Sequence, residues 1–442
     1  MRLSSLIGHL AEVVDAVDNA GHAADVVVAR YFRARRYLGA RDRRFITEHL
    51  YGILRDRRLL ETLTRAVIKR EHAQELLDRV PPMALAVARV IRVGMDLPDG
   101  EREALQELWS KNAPAIPLAD LAGWFKLANQ EVRSNLNPIE EVALDYSMPA
   151  FVIRAWFEQF GETETVALCA AMGESAPTTA RVNTLRCTPE ECRRAIEASG
   201  ISVRQGSFVS ETIIFPHRLT IQSLEAYRHG WFEMQDEGSQ IISRLLNPRP
   251  GELVIDSCAG AGGKALHCAA LMHNRGRIIA SDPDPRKLHE LTQRARRAGA
   301  SSIEIPANGM VPHALRGKAD AVLVDAPCSG LGTLRRNPGA KTALTSDTSR
   351  YYAEKQGRIL DESARLVRPG GRMVYATCTL LRWENEDVIE QFCRTHPDFV
   401  VYPVHEGLSG VNLPRQSGPY LTLTPHVHGT DGFFGALLHR HP

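Results

Sequence analysis

From residue 241 to the C-terminus, short apolar runs rich in β-branched residues alternate with stretches of helical periodicity. Leu253-Val-Ile-Asp256, Arg277-Ile-Ile-Ala-Ser-Asp282, Ser302-Ile-Glu-Ile305, Ala321-Val-Leu-Val324 and Met373-Val-Tyr-Ala376 read as strands. Runs of this kind suit strands covered on both faces, the environment of a parallel sheet. Residues 264–272, 285–298, 351–366 and 384–393 read as the helices between and after them. Phe399 to Val404, Tyr420 to Leu423 and Phe433 to Leu438 complete the sheet, partly antiparallel. Strands joined by helical crossovers pack as a doubly wound, Rossmann-like α/β sheet, and ligands bind beyond the carboxyl ends of its strands. Whatever chemistry the chain performs is expected there.

The sequence before this region reads as two further domains. Residues 1–137 carry apolar residues at three- and four-residue spacing, over 9–28, 42–67 and 84–93, and are expected to be all α. Residues 138–235 mix helical stretches (151–160, 163–172, 189–199) with strand candidates Thr179 to Leu185 and Thr212 to Phe215, a small α+β module. Residues 230–240 read as the link to the third domain, 236–442.

Three stretches sit at the carboxyl ends of predicted strands. The first is Asp256-Ser-Cys-Ala-Gly-Ala-Gly-Gly-Lys264, a glycine loop opening a helix. It lacks the P-loop spacing, because Lys264 is followed by Ala265, and it lacks the dinucleotide fingerprint Gly-x-Gly-x-x-Gly. Asp282 ends the second strand, within reach of a ribose hydroxyl pair. Together these fit S-adenosyl-L-methionine, which has a ribose and no phosphate to cradle. The expected cofactor-binding residues are Cys258, Ala259, Gly260, Ala261, Gly262, Gly263, Lys264, Asp282, Asn308 and Asp325. The second stretch is Asp325-Ala-Pro-Cys-Ser-Gly330, followed by Arg335 and Arg336, which suit a phosphate-bearing partner. The third is Ala376-Thr-Cys-Thr379. Cys328 and Cys378 are both placed for chemistry, and the residues alone do not choose between them. Cys258 reads as a loop packing residue, and Cys169, Cys187, Cys192, Cys268 and Cys393 as structural.

Composition narrows the partners. The net charge of +2 rules out a global polyanion-binding surface, so any nucleic-acid contact must be a local patch. One candidate is Arg30, Arg33, Arg35, Arg36, Arg41, Arg43, Arg44, Arg55, Arg57 and Arg58, interleaved with Tyr31, Phe32 and Tyr37. The scattered cysteines form no Cys-x-x-Cys pair, which argues against a zinc ribbon and a disulfide scaffold. No metal site is expected. No apolar run approaches the roughly 18 residues of a membrane span, and the start runs into Glu12 and Asp15 without a secretory core. A cytoplasmic protein is expected, and a monomer is the default for its oligomeric state.

The stretches Asp256 to Lys264, Asp325 to Gly330, and Ala376 to Thr379 with Glu384-Asn-Glu386 resemble the motifs of RNA (cytosine-5) methyltransferases of the Sun/RsmB family. Asn183, Gln235-Asp236 and Thr430-Asp-Gly-Phe-Phe434 resemble further family positions, so the likeness covers roughly residues 180 to 442. Arg41 to Arg55 resembles, more loosely, the NusB-like helical RNA-binding domain of the same family. The likeness implies a class I methyltransferase sheet, S-adenosyl-L-methionine as cofactor, and RNA, ribosomal in the first instance, as partner; the alternatives are the same chemistry on transfer RNA and a noncatalytic RNA-binding assembly factor that kept the fold. It implies Cys378 as the nucleophile and Cys328 as the cysteine that helps release the product. Asp325 is implied to hold the cytosine edge or to sit by the methionine end of the cofactor. Two positions depart from the family pattern: Ala261 replaces a proline, and Asn308 stands where an aspartate is usual. Asparagine keeps an acceptor for an adenine amine but loses the charge.

Overall fold

The computed structural model describes residues 1–20, 24–71, 79–95, 99–111, 118–408, 410–414 and 418–442. The chain forms two compact units, Met1–Gly173 with Arg336–Leu344, and Glu174–Arg335 with Thr345–Pro442.

The first unit is helical. The stretches of helical spacing over 9–28 and 42–67 each take in two helices, Leu3–Asn19 and Ala24–Ala34, and Ala40–Arg55 and Arg57–Glu71. Apolar periodicity continues across each break, so spacing alone hides it. Ile7, Leu10, Val14, Ile46, Leu50, Ile53, Leu85 and Trp109 are buried in its core. The segment Arg336–Leu344 belongs to this unit, and Lys341 shows why. Its buried ammonium donates to the carbonyls of Arg55, 2.6 Å, and Tyr146, 2.9 Å. These carbonyls lie at the C-terminal ends of the helices Ala40–Arg55 and Pro138–Asp145, where unpaired acceptors collect and cations are favoured. Burial lowers the Lys341 pKa to about 8.

The second unit holds two sheets. In chain order the strands are β1 Thr178–Val182, β2 Arg204–Gln205, β3 Thr212–Phe215, β4 Phe232–Met234, β5 Leu253–Asp256, β6 Arg277–Ala280, β7 Ile303–Glu304, β8 Ala319–Asp325, β9 Val367–Thr377, β10 Phe399–Tyr402, β11 Leu421–Leu423 and β12 Phe433–Arg440. The small sheet is antiparallel, in the order β2-β3-β1-β4. Its β4 lies inside the stretch that reads as a link. That stretch then enters a helix, Glu237–Leu246, capped by Asp236, whose carboxylate accepts from Gly238 N at 2.8 Å.

The large sheet runs β10-β12-β9-β8-β5-β6-β7, with β11 beside β12. It is the α/β, doubly wound sheet expected: β7, β6, β5, β8 and β9 are parallel and β12 is antiparallel. Side chains alternate across it, as strand geometry requires. Val254, Ile278, Leu323 and Val374 enter one core, and Ile255, Ile279, Val322 and Tyr375 the other. Strand order reverses at β5, so the crevice for a ligand opens at the carboxyl ends of β5 and β8.

The small module is fastened to the large sheet's flanking helix, Pro285–Ala298. Asn183 Nδ2 donates to Gly230 O and Ala298 O, both at 2.8 Å. Buried Glu233 pairs with Arg294 and Arg297. A side chain at Gly230 (φ +72°) would begin 2.1 Å from Arg297 O, so only glycine permits this approach. Among the described residues no helix is long and apolar enough to cross a membrane, and no cluster of His, Cys, Asp and Glu could hold a metal ion.

One group opposes the fold. Asp256, at the end of β5, is 1% exposed. Burial, reinforced by Asp325, raises its pKa to about 7. The native state therefore holds a proton that the unfolded chain has released above about pH 4. Stability is fully present at acidic pH and is lost as pH rises toward 7. In denaturant unfolding without cofactor, the wild type should lose about 3 kcal/mol relative to Asp256→Asn between about pH 5 and pH 8. Parallel pH profiles for the two proteins would contradict this assignment.

Candidate active site

The loop after β5 is stitched to its neighbours by backbone bonds. Ser257 N donates to Leu323 O and Ala259 N to Ser281 O, both at 2.9 Å. Gly260 N then donates to Asp282 Oδ2 at 2.9 Å, and Asp284 N to Asp282 Oδ1 at 2.8 Å. Each Asp282 oxygen thus keeps a lone pair. Ala261, where the family has proline, is held from outside the loop: its carbonyl accepts from Arg294 at 2.8 Å. Asn308 is exposed, and its Oδ1 accepts from Met310 N at 3.1 Å. Its neighbour Gly309 accepts from Ser281 Oγ, 2.8 Å, and Asp282 N, 3.2 Å, so Asn308 and Asp282 share one rim. Gly262 turns the chain into the helix Gly263–Leu271. Burial and then the carboxylates of Asp256 and Asp325 push the Cys258 thiol up, which keeps it protonated.

These residues fit S-adenosyl-L-methionine. Asp282 has acceptor capacity left for a ribose diol, and the place of a side chain at Gly260 is open space. Lys264, the first cationic residue of the following helix, donates to Asp325 Oδ2 at 2.6 Å. Its ammonium also lies 5.3 Å from the centre of the Phe433 ring. Burial disfavours that charge, but Asp325 outweighs it and leaves the Lys264 pKa raised.

Beside this pair the structure brings the two cysteines together. In the β8–β9 ladder Asp325 lies opposite Ala376, and Ala326 N donates to Ala376 O at 2.8 Å. Three residues beyond Asp325 and two beyond Ala376, Cys328 Sγ and Cys378 Sγ are 3.4 Å apart, both half-buried. The hydrogen bond with Cys378, and then burial, raise the Cys328 pKa well above the usual thiol value. The loop returns close by: Gly332 N donates to Cys378 O and Gly432 N to Gly332 O, both at 2.8 Å. A Cβ at Gly332 would lie 2.1 Å from Gly432 O.

One sequence expectation changes here. Arg335 does not face a free phosphate site: its guanidinium donates to the carbonyls of Gly429, 3.0 Å, and Ser175, 3.2 Å. Arg336 falls in the segment that belongs to the helical unit. Three residues beside this site were given no role from the sequence, Gln356, Glu384 and Asn385. Glu384 and Asn385 appeared only within a motif likeness. Gln356 left no signal, because it is a polar residue on the buried face of the helix Ser346–Ala364.

The comparisons with known proteins agree with this geometry. The family described as 16S rRNA methyltransferase RsmB/F matches residues 243–439. A ferredoxin-like domain of RsmF/B-like methyltransferases matches residues 148–222. The chain is 30% identical over 424 residues to a probable ribosomal RNA small subunit methyltransferase B of Bacillus subtilis, covering 90% of each. It is 29% identical over 432 residues to the protein of the same description in Synechocystis, covering 94% of this chain and 95% of that one. The crystal structure of PH0851 superposes with a TM-score of 0.78 at 27% identity, covering 100% of this chain and 99% of that one. The chain belongs to the RsmB/F family of 16S rRNA methyltransferases and is an S-adenosyl-L-methionine-dependent RNA methyltransferase.

Proposed function

We propose that the chain methylates carbon 5 of a cytosine in small-subunit ribosomal RNA through a covalent adduct on Cys378. The observation that carries this reading is the contact of two thiols at the ends of adjacent parallel strands, beside the Lys264–Asp325 pair. Carbon 5 of cytosine is a poor nucleophile. Addition of the Cys378 thiolate to carbon 6 turns the ring into an enamine, whose carbon 5 can take a methyl group. The cofactor supplies that methyl as a sulfonium. Lys264 places a positive charge where the ring accumulates negative charge, and Asp325 orients it and can accept from the cytosine amine. Cys328, once its own proton has passed to solvent, takes the carbon 5 proton as a thiolate, and the carbon–sulfur bond breaks with its electrons returning to Cys378. The order has a physical basis. Before attack, the hydrogen bond with Cys378 and then burial hold the proton on Cys328. Once Cys378 is a thioether that hold weakens, and Cys328 becomes the easier acid to ionise.

The target base must leave its stack to reach the thiols, so a loop or single-stranded site is expected. The helical unit supplies a candidate grip. Arg30, Arg33, Arg36, Arg41 and Arg44 are exposed, together with Tyr37. Other arginines of the same run serve the fold. Arg35 pairs with Glu12 and stacks on Tyr31, Arg43 donates to Leu38 O, Arg57 pairs with Asp18, and Arg58 donates to Met148 O. Ribosomal RNA as substrate places the protein in the cytoplasm.

Two outcomes are expected. With small-subunit RNA and labelled cofactor, Cys328→Ala should lose about 10²–10⁴-fold in turnover and accumulate a protein–RNA adduct stable on a denaturing gel. Cys378→Ala should form none, and adduct in Cys378→Ala alone would reverse the two roles. Separately, Arg36→Gln with Arg41→Gln should weaken RNA binding across sequences alike and flatten its salt dependence by about 0.7–0.9 in log–log slope per lost phosphate contact. An unchanged slope would remove this surface from the RNA interface.

A further inference from the structure

Two adjacent residues, Glu384 and Asn385, hold the residues on both sides of both thiols. Glu384 Oε2 accepts from Ser329 N at 2.9 Å and from Gln356 Nε2 at 3.0 Å. Gln356 Nε2 also donates to Pro327 O at 3.0 Å. Both neighbours of Cys328 are therefore tied to one carboxylate, one directly and one through an amide. Asn385 does the same for Cys378. Its Oδ1 accepts from Thr377 Oγ1 at 2.6 Å, and its Nδ2 donates to Thr379 O at 3.1 Å. The two brackets are joined: Ser329 Oγ and Thr379 Oγ1 are 2.8 Å apart, and Tyr375 OH, on β9, donates to Glu384 O at 2.6 Å.

These groups lie deep in the protein. Glu384, Gln356, Thr377 and Thr379 are fully buried, and Asn385 is 1% exposed. Burial raises the Glu384 pKa, the mark of a carboxylate kept where its charge is unfavourable. Apolar side chains would fill the same space at lower cost. A need for stability alone does not explain why these bonds end on the residues next to a sulfur.

We propose that Glu384 and Asn385 are positioning residues for the reaction, Glu384 for Cys328 and Asn385 for Cys378. This rests on the two-thiol reading above. The division of labour predicts a division of kinetics. A loosened Cys378 attacks slowly, and a loosened Cys328 leaves the adduct standing.

The test is single-turnover adduct formation and decay with small-subunit RNA and labelled cofactor, run on the full chain for Cys328→Ala, Glu384→Ala, Glu384→Gln and Asn385→Ala. Glu384→Ala should accumulate adduct with kcat lowered about 10²-fold and KM unchanged, the effect of misplacing a reacting group by about an ångström. Glu384→Gln keeps an acceptor for Ser329 N and should recover part of that loss. Asn385→Ala should form adduct about 10²-fold more slowly and accumulate none. Thermal melting identifies a variant that fails to fold; for Glu384 the Gln variant, and for Asn385 an Asn385→Asp variant, then carry the comparison. Adduct in Cys328→Ala with none in either Glu384 variant overturns the positioning role. So do equal slowing of both steps by both residues, wild-type rates, and a change confined to KM. Absence of adduct in Cys328→Ala overturns the two-thiol reading instead.

Discussion

The parallel register of β8 against β9 is the constraint on which the reactive end depends. With Asp325 opposite Ala376, Cys328 follows three positions after one and Cys378 two positions after the other, and the sulfurs meet at 3.4 Å. A slip of one residue would turn every side chain of a strand to the opposite face. Here such a slip would move Leu323 out of one core and Val322 and Val324 out of the other. The apolar pattern that buries the sheet therefore also fixes the distance between two sulfurs. Stability and geometry are set by the same residues, which is why the thiols can sit on loops and still be held closely.

Charge at the strand ends works against that stability. Asp256, Asp282 and Asp325 crowd one edge of the sheet, with Lys264 among them. A domain selected for stability alone would place fewer acids there. The arrangement makes sense as a binding rim: Asp282 has lone pairs to offer a diol, and Lys264 and Asp325 present both signs of charge to one small space. Asp256 carries the strain of this arrangement, shielded from water and next to another acid.

The sheet was legible because its strands are apolar on both faces and its turns carry acids, glycines and cysteines in place. The motif residues were legible for the same reason, since each follows a strand. What escaped has local causes. β2 is two exposed residues and has no apolar run to detect. β4 is three residues long and follows Gly230, so it read as a link. The helix ends at Asn19 and Arg55 fall inside unbroken apolar periodicity. Gln356 was invisible because its value lies in one amide placed among buried groups, which no pattern of polarity records. Lys341 carries no motif or spacing, and the two helix ends around it explain its burial.

The arginines of the helical unit show how composition misleads when read without packing. The run from Arg30 to Arg58 looks like one basic face. In the structure Arg35, Arg43, Arg57 and Arg58 have their guanidinium groups engaged by acids, carbonyls or rings of their own unit. A guanidinium already bound to a protein acceptor neutralises no phosphate, so it contributes little to counterion release. The cations left for RNA are few, in keeping with a net charge of only +2. Backbone attraction of that size is shared by every RNA the protein meets. On the proposed two-thiol mechanism, discrimination falls to the place where a single unstacked base meets the thiols and the Lys264–Asp325 pair, groups matched to one ring.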